Sequence, residues 1–334
     1  MTARGLALHL AFGLLALPLA AQIGPSRWGS VKALPFGAVN RATLDNHIEI
    51  PIYTRPTGTG VQIGLRLVYD SQFWSAAGAS GPWTPAPGFG WRLAQPFGTL
   101  IHSRTIGSPY CGWYNSNTGS YDEWWNLVTD SWTFDEPDGS VPSDDYASSE
   151  YLVLGGGAKQ RGDTYDCSPV YGTGSTQIPD GKGYTIEVFN ANQASAYAEA
   201  FDSRGNEVDG LLKDPNGNQV TTSTSGGATS YYDPLSAANG GAAALTQTGS
   251  GTPSSPIYYS YTGSNGSSAQ IEEHFESLSV TTSFGCGTGH TQWSGTATVP
   301  SELDLPDGSK FTFGYDSDAR LSSVTLPTGA TVMT

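Results

Sequence analysis

The sequence predicts an all-β protein, a meander of short antiparallel hairpins. Three observations carry this. Apolar residues alternate with polar ones, most cleanly at Val61, Ile63, Leu65, Leu67 and Tyr69, which is the period of a half-buried strand. Turn formers are abundant (43 Gly, 21 Pro) while charged residues make up only 13% of the 334, about half the usual share. Finally, no segment beyond the N-terminus carries the 3.6-residue apolar period of an amphipathic helix.

The elements follow in chain order. Arg4 precedes an apolar run from Leu6 to Leu19, and Pro18-Leu-Ala-Ala21 leads to Gln22. Residues 1–21 therefore read as a signal peptide and the mature chain as exported, with destinations in the extracellular space, at the cell surface or in the periplasm. No second apolar stretch has spanning length. Ile48, Ile50 and Ile52 share one strand face, and the turn Thr54–Gly60 joins them to the Val61–Tyr69 strand. Residues 22–135 form an N-terminal β region dense in tryptophan: Trp74, Trp83, Trp91, Trp113, Trp124, Trp125 and Trp132. Rings used as packing mass explain them; a sugar-stacking platform is the sharper alternative. Trp124 and Trp125 would point to opposite faces of a strand, so at most one belongs to a platform. In residues 136–220, Tyr184, Ile186 and Val188 form one strand and Tyr197, Glu199 and Phe201 the next. Residues 221–269 are low in complexity and rich in Ser, Thr and Gly. They are expected to be a flexible or extended insertion, with an edge strand at Tyr258–Tyr261. Regular structure restarts over 270–334. There Phe311, Phe313 and Tyr315 alternate, Asp316–Arg320 reverses the chain, and Val324 and Leu326 return. Pro306-Asp-Gly308 and Pro327-Thr-Gly329 begin 21 residues apart, a period proper to repeat arrays. The chain stops at Thr334, inside an expected strand, which reads as a truncated array.

The run Tyr315-Asp316-Ser-Asp-Ala-Arg320-Leu321 resembles the YD repeat of RHS proteins, with Ala319 in place of the usual Gly. Phe201-Asp202-Ser-Arg-Gly205-Asn206, followed by Leu212-Lys-Asp-Pro-Asn-Gly217-Asn218, resembles a second copy, with Phe201 in place of Tyr. Pro137-Asp-Gly139 and Pro179-Asp-Gly181 are further turn elements, and Gly88-Phe-Gly90-Trp91 is similar to the family's entry region. The resemblance implies a large hollow β-shell that encloses or displays a C-terminal effector. This chain would supply the signal, the entry region and the first repeats. Its partners would be the remainder of the shell or the effector.

Chemistry adds little to that picture. Thirty acids against fifteen bases give a net charge of −15, which disfavours nucleic acid and anionic membranes. Three cysteines leave pairing open: Cys111 with Cys167, Cys286 with either, or three unpaired, partly buried thiols. His47, His102, His274 and His290 sit in no catalytic motif. Cys286-Gly-Thr-Gly-His290 offers two ligands where structural zinc needs four. Asp214-Pro-Asn-Gly-Asn218 lacks the EF-hand's sixth-position Gly and distal Glu and reads as a turn. Glu272, Glu273 and Glu276 invite a glycosidase pair, but adjacent residues of a strand point apart, so a solvated edge is expected instead. Gly155-Gly-Gly157 lacks the phosphate-loop pattern. The expectation is no enzyme, no catalytic, cofactor or metal residues, and a structural role. A secreted carbohydrate-binding module or glycan-active enzyme and a surface adhesin are the alternatives.

Overall fold

The computed structural model describes residues 31–34, 37–40, 45–56, 61–76, 81–137, 146–167, 175–177, 183–238, 241–284 and 291–333. The expected signal peptide, Cys286, His290 and the Pro179–Gly181 turn lie outside them. The fold is all-β with antiparallel strand pairs, and its sheets are open, not closed into a barrel. One α-helix of five residues, Pro234–Ala238, is present among the described residues. No described helix is long and apolar enough to cross a membrane.

An N-terminal sheet of five strands is built on Asp45–Pro56 and Gln62–Asp70. The alternation read from the sequence is its core face: Ile48, Ile50, Ile63, Leu65, Leu67 and Tyr69 are all buried. The loop Pro87–Gly90 then turns the chain into Trp91. Gly90 has φ +88°, and a Cβ there would stand 2.3 Å from the Asp70 carbonyl oxygen. Only glycine fits that approach.

Next comes a four-stranded arm. Thr99–Asn115 and Ser120–Asp135 form a long hairpin, Tyr146–Gly157 pairs on one side, and Thr164–Tyr165 pairs on the other. The expected boundary at 135/136 therefore falls between two paired strands. Cys111 and Cys167, 56 positions apart in sequence, are bridged, with S–S at 2.05 Å. A small sheet follows, Ser175–Gln177, Thr185–Phe189 and Tyr197–Phe201. Its core side chains include Ile186, Val188 and Ala200.

A ten-stranded sheet from Leu212 to Met333 completes the chain, and every strand in it pairs with its sequence neighbour. Bridges from Glu207 to Phe201 and to Lys213 join it to the small sheet. Of the flexible or extended insertion expected over 221–269, the structure shows the extended form, built into the sheet. Gln219–Ser225, Ala228–Tyr232, Leu245–Thr248, Ile257–Thr262 and Ser268–Thr281 are consecutive strands of this sheet. Their average composition is polar, but Val220, Tyr231, Leu245, Tyr259 and Ile271 place one deeply buried anchor in each strand. Alternation hides these anchors among outward Ser and Thr. Tyr258–Tyr261 lies in a central strand, paired on both sides, and is not an edge.

The N-terminal sheet packs against the large sheet in one continuous core. Tyr53 meets Tyr261 at 4.8 Å between ring centroids, and Trp91 meets Phe313 at 4.9 Å. The Leu321 N–H donates to Tyr69 Oη at 2.9 Å. Arg55 reaches the fully buried Asp233 at 2.9 Å, and Asp233 Oδ1 accepts from Ser236 N–H at the start of the short helix. Capping and pairing are how a buried carboxylate is normally satisfied.

Candidate functional site

The most repeated unit of chemistry in the molecule is a turn. It recurs six times among the described residues, starting at Asp202, Asp214, Gly263, Leu305, Asp316 and Leu326. In each, the first residue's N–H donates to the fifth residue's carbonyl at 2.8–2.9 Å, and the fourth residue's N–H donates to the first carbonyl at 2.8–3.2 Å. The fourth residue always has positive φ, from +60° to +86°. This is the three-residue hairpin loop with a left-handed closing residue. Five copies place Gly at that position; the sixth places Ala319, at φ +60°. The substitution in the sequence leaves the turn intact.

An aspartate at the first position reinforces three copies. Asp202 Oδ1 accepts from the N–H groups of Arg204 and Asn206 at 2.8 and 2.9 Å, and Oδ2 accepts from Asn206 Nδ2. Asp214 repeats this with Asn216 and Asn218 at 2.9 Å. Asp316 accepts from the N–H groups of Asp318 and Arg320. The Asn218 amide, helped by backbone N–H groups, holds the Asp214 carboxyl below its usual range. Both carboxylate oxygens of Asp214 are engaged by donors, which is the arrangement of a turn and not of a calcium loop.

The tryptophans of the expected platform region do not lie together. Trp91 and Trp132 are buried. Trp74, Trp83, Phe284 and Arg320 line a groove of about 370 Å³ where the entry loop meets the large sheet. There Trp74 Nε1 donates to the Asp318 carbonyl at 3.1 Å, and the Arg320 guanidinium lies 5.1 Å from the Phe284 ring centre. Trp113 and Trp125 stand with the exposed Tyr165 on one face of the arm's tip. A Cβ at Gly155 would meet Trp124 at 2.3 Å, so the Trp124 ring lies against Gly155 and Gly156, on the other face. The tip rings are not coplanar: Trp113 and Tyr165 are inclined at 49° and Trp125 and Tyr165 at 89°. Lys159 Nζ sits 3.7 Å from the Trp113 ring centre, a cation–π contact over its face. A flat sugar platform is not formed by these rings. The disulfide holds the tip closed, and Asp166 ties it further, accepting from Gly112 N–H and Tyr121 Oη at 2.9 and 2.6 Å.

Each described histidine sits against carboxylates. His47 contacts Asp70 at 2.7 Å and Glu49 at 3.0 Å, and these hydrogen bonds raise its pKa to about 9. Burial alone would raise the Asp70 carboxyl, but the His47 hydrogen bond and the Arg92 charge outweigh it and hold it low. His102 stacks on Trp132 and shares the fully buried Asp130 with Arg104. His274 lies beside Glu302 and Asp304 on the outer face of the large sheet. The glutamates of that strand split by face. Glu273 points inward, accepts from Tyr259 Oη at 2.9 Å, and is pushed by burial to about 7. Glu272 points outward, opposite Asp304. The juxtaposition of His274 with Glu302 and Asp304 escaped the sequence reading. Its only sequence signal is the x-Glu-x-His and Glu-x-Asp alternation, which has no meaning until strand register is known.

No protein-family model matches the chain, and no curated protein matches it.

Proposed function

We propose that this chain is an exported, non-catalytic structural protein of RHS type, part of a larger β-shell that packages or presents an effector outside this chain. The observation that carries this reading is the recurrence of one turn six times in a meander in which each strand pairs with its neighbour. A repeated turn sets a repeated register, so strands can be added without new chemistry. Three of the six turns are the segments whose sequence resembles the YD repeat. The partners are then the remainder of the shell and its enclosed segment.

The test is to read the coding sequence past the codon for Thr334 and purify the whole product. Further Tyr-Asp repeats, together with a C-terminal segment that resists protease until the β-sheets unfold, are expected. A stop codon directly after Thr334, with a monomer that binds no other chain, overturns the proposal. The carbohydrate-binding alternative rests on the Trp74–Trp83–Phe284 groove. Tryptophan fluorescence that shifts on titration with a glycan would move it ahead.

A further inference from the structure

We propose that His274, Glu302 and Asp304 form a site for a divalent transition cation on the outer face of the large sheet. The inference is independent of the shell reading.

Strand register builds the cluster. His274 stands directly opposite Glu302, and Glu272 directly opposite Asp304, on the neighbouring strands Ser268–Thr281 and Ser294–Asp304. Residues two apart share a face, so these four side chains form a square on the outside while Glu273 and Leu303 point into the core. One ligand atom from each of His274, Glu302 and Asp304 lies within 4.8 Å of the others. His274 Nε2 is 3.3 Å from Asp304 Oδ2 and 3.5 Å from Glu272 Oε1. Ligand atoms on a tetrahedron with ~2.1 Å bonds stand about 3.4 Å apart, so the set closes on a zinc-sized ion with side-chain adjustment alone. One imidazole with two carboxylates matches the borderline ligand preference of zinc, cobalt or manganese.

Charge also favours a cation. Glu272 and Asp304 are like charges placed directly across from one another, an arrangement that destabilises a sheet. Lys310 offsets part of this by pairing with Glu302 at 2.8 Å. A bound ion would displace Lys310 from Glu302 and neutralise the square more fully. Three protein ligands leave a coordination position open. Beside them lies a groove of about 750 Å³, lined by Glu302, Asp304 and Lys310 and by the turn residues Asn265 and Gly308. An oxygen-bearing group lying in that groove could complete the coordination.

The experiment titrates the chelator-treated full chain with Zn²⁺ by calorimetry and with Co²⁺ by visible absorption. One equivalent is expected to bind, with a tetrahedral-type cobalt band. Removing an outer-shell partner of a metal site costs about 10–100-fold in affinity, so loss of a direct ligand in His274→Ala should cost at least as much. Glu302→Gln should do the same, and Lys310→Met should tighten binding. His102→Ala, at the separate His102–Asp130–Arg104 cluster, should leave it unchanged. Circular dichroism checks that each variant is folded. No binding by the folded wild-type chain, or equal binding by folded His274→Ala, overturns the proposal.

Discussion

The two halves of the molecule hold themselves together by different means. From Asp202 to Met333 the chain uses one local device, a five-residue turn whose partners lie four residues apart. From Asp45 to Cys167 it relies on devices of longer reach. These include a disulfide across 56 residues, a histidine shared by two carboxylates, and glycines pressed against backbone. Repetition makes the first half tolerant, because each turn is closed by its own atoms. The second half is more fragile, because its devices join groups that lie far apart in the chain.

The largest break should come from the disulfide. A loop of this length constrains the unfolded chain by roughly 4 kcal/mol. Cys111→Ser should open the arm to protease and lower the denaturation midpoint. The large sheet should stay protected, as limited proteolysis with mass spectrometry would report. Loss of protection throughout would mean that the halves do not separate in this way.

The histidine network gives a pH dependence. His47 is raised from 6.5 to about 9 by Asp70 and Glu49. The folded state thus binds the proton more tightly than the unfolded one. Its contribution is complete below about pH 6.5 and is lost as pH rises through 9. The site is about a third exposed, so solvent screening reduces the effect to about 1–2 kcal/mol. Melting curves from pH 6 to 10 should show this loss, and His47→Gln should flatten it.

Paired glycine substitutions sharpen the contrast further. A Cβ at Gly112 in the arm would lie 2.1 Å from the Glu123 carbonyl oxygen, whereas at Gly308 in a repeated turn it meets nothing within 4 Å. Gly112→Ala must shift backbone and should cost about 2 kcal/mol. Gly308→Ala bears only the positive-φ strain, about 1 kcal/mol. Equal costs in chemical denaturation would remove the distinction. The smallest effect belongs to Ala319. Restoring glycine relieves its left-handed strain of about 1–2 kcal/mol and forfeits about 0.8 kcal/mol of buried methyl. Ala319→Gly should therefore stabilise by about 0.5 kcal/mol, a rise in melting temperature of a degree or two.

What could be read from the sequence follows the same division. The strands at Ile48–Ile52, Val61–Tyr69 and Phe311–Tyr315 were legible because their period of two is a local property. The turns at Asp202, Asp214 and Asp316 were legible because three or four residues define them. Of the strands within 221–269 only Tyr258–Tyr261 was legible, and it was placed at an edge; the others were not, because one tyrosine or leucine per strand vanishes in an averaged composition. The Cys111–Cys167 pairing was open until tertiary placement closed it. The square of His274, Glu272, Glu302 and Asp304 depends on register between residues 30 apart, and no single stretch of sequence contains that information.

The hydrogen bond from Leu321 to Tyr69 spans 252 residues, and that span has a consequence for biosynthesis. A ribosome adding about 5–20 residues per second needs roughly 13–50 s to cover it. For that time the row of Ile50, Ile63, Leu65 and Tyr69 exists on the nascent chain without the strands that will cover it. A cell making this protein must shelter an oily β-surface on a growing chain, so production rate and chaperone supply would limit its yield before stability does.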